Sequence, residues 1–131
     1  MDVVAVREQL SEQIRAETHL PVLETPSALQ ATPAVLMGAP RGTYDETLDA
    51  QSLMRVNWPL IAVVSKSSPD HLTVLTQLVG TGTERSIPDA IDSAEPTAAA
   101  WWRVTEWDTF EEIELGAGSY WASVLNIEIV G

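Results

Sequence analysis

The chain has 131 residues, 45% of them hydrophobic, no cysteine, and 19 acidic against 7 basic residues, for a formal net charge of −12. That length suits one domain whose single core buries about two thirds of the surface the unfolded chain exposes, and the lack of cysteine excludes disulfides, thiolate metal sites and thiol catalysis. An acid excess of this size repels nucleic acid and forgoes the counterion release that drives DNA affinity, leaving either a solvated face or a surface that DNA slides past without sticking.

At the N-terminus Val3, Val6, Leu10 and Ile14 recur at spacings of three and four among Arg7, Glu8, Glu12 and Arg15. This predicts an amphipathic helix with Asp2 as N-cap, ending before Pro21. Its charges do not suit a signal peptide, and no apolar run in the chain is long enough to span a bilayer. His19–Leu23 reads as a short extended piece, an edge or strand entry because Pro21 lacks a ladder donor. Thr25-Pro26-Ser27 turns the chain, and Pro33–Met37 reads as a second short strand.

Periodicity is then lost from Gly38 to about Leu53, through Pro40, Gly42 and Tyr44-Asp45-Glu46-Thr47-Leu48-Asp49. A connection this long is uncommon in a compact domain unless it has a use. A protruding loop or hairpin at about 38–54 is therefore expected to touch something other than its own domain. Arg55–Ser65 is the strongest mid-chain strand, with Val56, Trp58, Leu60, Ala62 and Val64 on one face. Ile61 and Val63 make its second half apolar on both faces, which predicts burial between a helix layer and another surface such as a neighbouring subunit. Pro59 predicts a bulge or an edge position.

Ser67-Ser68-Pro69-Asp70 reads as a helix start with a serine cap and proline at the first helical position. Leu72, Leu75, Leu78 and Val79 form the apolar stripe and Gly80-Thr81-Gly82 the end. A second short helix begins near Ser86, with Ile87, Ala90 and Ile91 inward. The remainder, Trp101–Gly131, reads as strand, strand, tight turn and long closing strand. Trp121, Leu125, Ile127 and Ile129 share one parity in the closing strand, and Tyr120, Ala122, Asn126 and Glu128 the other. With Gly116-Ala117-Gly118 as the loop between Leu115 and Ser119, Ile113 and Leu115 are expected on the apolar side of that strand and Glu112 and Glu114 on the other. Helices and strands segregated in runs predict an α+β fold, a mainly antiparallel sheet with helices packed on one face, in a single domain spanning 1–131.

No phosphate loop, dinucleotide fingerprint or paired-histidine metal motif is present, and no cofactor is expected. A hydrolase triad drawn from His71 with Ser67, Ser68 and Asp70 would crowd neighbours of one helix start, whose residues capping already explains. Glu111 and Glu112 alternate faces, so they cannot pair as an acid–base dyad; Glu112 and Glu114 share one, but without the carbonyl ligands of a calcium loop. Trp58 and Trp121 suit the core. Trp101, Trp102 and Trp107 cannot all face one core, because Trp102 differs in parity from the other two, so at least one is expected at a surface or subunit interface.

Taken in order, REQLSEQIR (7–15), RVNWPLIAVVSK (55–66), SSPDHLTVLTQLVGTGT (67–83) and RVTEWDTFEEIELGAGSYWASVLNIEIVG (103–131) resemble the tail terminator, or head-to-tail joining, proteins of long-tailed bacteriophages. The resemblance covers nearly the whole chain as a layout. It implies a non-enzymatic virion protein at the head–tail interface, made in the host cytoplasm. It also implies a homo-oligomeric ring, typically a hexamer, that caps the tail tube, ends its polymerisation and meets the head-completion (stopper) protein, with DNA passing through the channel. On this view Arg55, Ile61, Val63 and a tryptophan among Trp101, Trp102 and Trp107 are placed near a subunit interface. Tyr44, Asp45, Glu46 and Asp49 are placed on the loop that meets the tube or channel. The alternatives are another connector, such as a stopper or tube-like subunit, a small hydrolase using His71 or Glu112, and an acidic DNA mimic that inhibits a basic partner.

Overall fold

The computed structural model describes residues 1–25, 31–45, 53–116 and 118–131. Two 13-residue strands, β4 (Leu53–Ser65) and β7 (Gly118–Val130), form its spine, paired antiparallel without a break from Arg55↔Val130 to Ser65↔Tyr120. Shorter strands divide the outer edges of this pair. On the β4 side, β2 (Ala34–Met37) lies along Leu60–Val63 and β3 (Arg41–Asp45) along Leu53–Asn57, while β1 (Val22–Leu23) adds to β2 in the sheet's one parallel pairing among the described residues. On the β7 side, β5 (Trp101–Trp107) and β6 (Glu111–Leu115) take its C-terminal and N-terminal halves. The fold is thus α+β around a mixed, mostly antiparallel seven-stranded sheet.

Among the described residues three helices cover one face. In α1 (Val3–Thr18) the Asp2 carboxylate accepts from the backbone N–H groups of Val4 and Ala5, and His19 ends the helix in the left-handed conformation. The helix α2 spans His71–Val79, starting later than its sequence suggests: Asp70 is the N-cap position and makes no side-chain cap bond, while Ser67–Pro69 stay outside. Leu75, Leu78 and Val79 are buried but Leu72 is 51% exposed, so the stripe is narrower than its spacing predicts. In α3 (Ile87–Asp92) the Ser86 hydroxyl accepts from Asp89 N–H, as a serine cap should. Beneath the helices lie Val56, Trp58, Leu60, Ala62 and Val64 of β4 with Leu125, Ile127 and Ile129 of β7, packed against Val6, Leu10, Ile14, Leu75, Leu78, Ile87 and Ile91. Each valine, leucine or isoleucine among them contributes about 1.5–3 kcal/mol on burial.

Pro59 lies in the middle of the sheet without a bulge. A residue of an antiparallel strand sends its N–H and C=O toward the same neighbour, and the Pro59 carbonyl accepts from Gly38 N–H at 2.8 Å. Its missing donor therefore points into the junction where β4's partner changes from β2 to β3. The proline thus occupies a stretch of that edge, between the β2 and β3 ladders, where no ladder needs a donor.

The β6–β7 hairpin overturns the expected facing. Leu115 pairs with Gly118, so the loop is two residues, Gly116 (φ 59°) and Ala117, rather than three; Ala117 itself lies outside the described residues. Ile113 consequently opposes Tyr120 and Glu112 opposes Trp121. A one-residue change of register reverses every side chain, and Ile113 and Leu115 lie on the side away from the helices. There they pack with Leu23, Ile61 and Tyr120 around a second, smaller core of Ala34, Leu36, Val63 and Ala122.

Candidate interaction surface

Where β3, β4, β7 and β5 lie side by side, the sheet face opposite the helices is polar and open. The register aligns Arg41 with Asn57, Thr43 with Arg55, Asn57 with Glu128 and Glu128 with Arg103. Glu128 is the anchor: one carboxylate oxygen accepts from Arg55 Nη1 at 2.9 Å and the other is 3.7 Å from Arg103 Nη2. Arg103 also stands over the ring of Trp101, 5.4 Å from its centroid, and Trp101 is 38% exposed. Arg41, Thr43, Arg55, Asn57, Thr105 and Glu128 line a recess of about 300 Å³. Three of the chain's 7 basic residues thus gather on this part of the face, two of them paired with Glu128 and Arg41 beside them in the recess, a local cationic excess on a strongly acidic protein.

Along the same face the sign reverses. A bulge in β5 places Thr105 between the pairs Val104↔Ile127 and Glu106↔Asn126. Glu106 turns outward and accepts from Asn126 Nδ2 at 3.2 Å, and the Thr105 hydroxyl donates to the Asn126 carbonyl. Beyond it, Asp108, Thr109 and Glu111 border a second recess of about 380 Å³ whose floor is Ile61, Ile113, Ala122 and Val124. Glu106, Asp108 and Glu111 are all exposed. The bulge also moves Trp107 to the helix side, opposite Leu125, where it sits 5.6 Å from Phe110 at the sheet's rim and remains 51% exposed.

These contacts sort the predicted interface residues. Arg55, Trp101 and Trp107 stand at accessible positions, Ile61 is half-buried in the second recess, and Tyr44 is 70% exposed on the open strand β3. Part of the aperiodic 38–54 stretch is thus one side of a hairpin, Arg41–Asp45 against Leu53–Asn57. Asp45 belongs to β3, while Glu46 and Asp49 lie outside the described residues. Two placements need correction. Val63 is fully buried within its own chain, in the second core, so no neighbouring subunit is required to cover it. Trp102 is 6% exposed and its indole N–H is shared between the carbonyls of Ile91 and Ala94 at 2.9 and 3.1 Å, which satisfies the end of α3 from within. The parity argument also fails in detail, because the bulge puts Trp107 on the same side of the sheet as Trp102. Arg41 carries no signal in the sequence that marks it for this face; only its register beside Asn57 brings it there.

The candidate catalytic groups are engaged otherwise. His71 stacks on Trp121 with ring centroids 5.8 Å apart, and its Nδ1 lies 2.7 Å from the Ser68 carbonyl rather than against a hydroxyl. The Ser67 hydroxyl bonds that of Ser65, and Glu112 is held by Lys66 at 2.6 Å. Among the described residues no helix is long and apolar enough to cross a membrane. No protein-family model matches this chain, and no curated protein matches it in sequence.

Proposed function

We propose that this protein is a structural subunit that assembles into a ring at the end of a phage tail tube, stops tube polymerisation and presents a surface to the head-completion protein. The observation that carries this reading is the two-sided sheet: helices cover one face, while the other offers exposed strands, a tryptophan and two patches of opposite charge. Such a face is suited to meeting other protein surfaces, where aromatic and arginine side chains supply most of the binding energy. The engagement of His71 with Trp121 and Ser68, and of Glu112 with Lys66, favours a non-enzymatic role. The layout resemblance supplies the tail, the ring and the channel through which DNA passes, and with them a location in the virion.

The test is assembly. Light scattering and native mass measurement of the purified protein, alone and mixed with a tail-tube protein, should give a concentration-dependent ring-sized particle. Tails made without it should be tubes of abnormal length that carry no heads. A strictly monomeric protein in both mixtures, with tails of normal length in its absence, overturns the proposal.

A further inference from the structure

We infer that the arginine end of the open sheet face receives the acidic corner of a second copy of this chain, and that this contact is the repeating joint of the assembly. The inference rests on the ring reading only for the identity of the partner. Its own ground is charge complementarity within one face. At one end Arg55 and Arg103 pair with a single carboxylate, Glu128, and Arg41 shares the recess with it. Glu106, Asp108 and Glu111 stand at the other with no basic residue between Arg103 and the C-terminus to balance them.

The geometry makes the contact directional. The two patches are different surfaces of the same subunit, so pairing one with the other on the next copy is heterologous: each subunit uses its arginine end once and its acidic corner once. Such a joint closes into a ring or continues as a filament, whereas like patches meeting across a two-fold axis would set arginine against arginine. A recess of about 300 Å³ at the arginine end gives the incoming carboxylates a concave seat, lined also by Asn57, Thr43 and Thr105 as further hydrogen-bonding groups. Arg103, already held over Trp101, is pre-positioned to make bidentate contacts with carboxylates at reduced entropic cost. Nucleic acid would also be drawn to arginines beside a tryptophan, but the carboxylate at the centre of this patch and the acids along the same face oppose a phosphate backbone.

The test is a charge swap read by sedimentation at low and high salt. Arg41→Glu with Arg103→Glu reverses one patch; Asp108→Arg with Glu111→Arg reverses the other. All four positions are exposed, so circular dichroism should show both variants folded; if either fails to fold, Arg103→Ala and Glu111→Gln replace the reversals. Each variant alone should self-associate at least tenfold more weakly than the parent. An equimolar mixture of the two reversed variants should recover assembly, because every joint in an alternating arrangement again pairs opposite charges. Parent-like association of the single variants, or no recovery in the mixture, overturns this joint while leaving a ring built on other surfaces intact. A parent protein that stays monomeric with and without tube protein removes both. Arginine-dependent binding of an oligothymidine probe with self-association unchanged assigns the face to nucleic acid and overturns the inference.

Discussion

Gly38 shows how much one residue without a side chain can set. It leaves β2, donates its N–H to the Pro59 carbonyl and offers its own carbonyl to the Trp58 indole at 3.0 Å. A Cβ there would stand 2.7 Å from the Pro59 carbonyl oxygen and 2.7 Å from its Cγ, and backbone cannot yield as a flexible side chain can. Gly38→Ala is therefore expected to lower stability by about 1–3 kcal/mol, as overpacking does, read as a fall in the urea midpoint at unchanged slope. An unchanged midpoint would mean that the β2–β3 junction is not clamped on Pro59. Trp102 makes the complementary case. Its indole satisfies two carbonyls at the end of α3, so Trp102→Phe strands them in a buried place and removes ring volume, and a loss of about 2–3 kcal/mol should follow. The same substitution at exposed Trp101 should cost well under 1 kcal/mol. Comparable losses at the two positions would show that Trp102 does not hold α3.

At the scale of elements, the hairpin that ends the sheet depends on its turn. Gly116 at φ 59° and a two-residue loop put Ile113 and Leu115 on the second core, and counting Gly118 as loop would put them under the helices. Stability measurements distinguish these arrangements. Ile113→Asp should cost about 1–2 kcal/mol through loss of apolar burial on the second core, whereas Glu112→Ala should cost less than 1 kcal/mol, since it removes only an exposed ion pair with Lys66. The opposite order would restore the three-residue loop. This hairpin also marks what was legible in the chain. The alternation in β4 and β7, the Asp2 and Ser86 caps and the apolar spacing of α1 and α3 carry enough local information to define those elements. Turn length is not carried by periodicity, so alternation alone puts Ile113 and Leu115 on the wrong side. Strand β3 was illegible for another reason: Arg41 to Tyr44 are exposed on both faces, so no apolar alternation betrays them. Arg41, Arg55, Arg103 and Glu128 come from four strands, β3, β4, β5 and β7, and only the register gathers them. Long-range bonds such as Gln9 to Thr97 and Gln13 to Ala90, which tie α1 to α3 and the segment after it, are likewise invisible to local spacing.

For the whole molecule, two electrostatic terms of opposite sense coexist. A formal charge of −12 makes the folded subunit repel itself, most strongly through the acids that crowd its C-terminal third. The proposed joint between subunits is an attraction between unlike patches. Added salt screens both, since exposed charges lose most of their interaction beyond a Debye length of about 8–10 Å at 0.10–0.15 M ionic strength. Raising sodium chloride from 20 to about 300 mM should therefore stabilise the isolated subunit, with a rise in Tm of roughly 3 °C if about 1 kcal/mol of repulsion is relieved. The same change should dissociate the assembly. Thermal melts of dilute protein, where subunits are apart, and sedimentation of concentrated protein, where they meet, measure the two responses separately. Neutralising Asp108 and Glu111 to the amides should shrink both, because those carboxylates contribute to the self-repulsion of one subunit and to its attraction for the next. Association that strengthens with salt would mean that the subunits meet through apolar surface, with the recess over Ile61, Ile113, Ala122 and Val124 as the place to look, and the charged patches would then be only the solvated border of that contact.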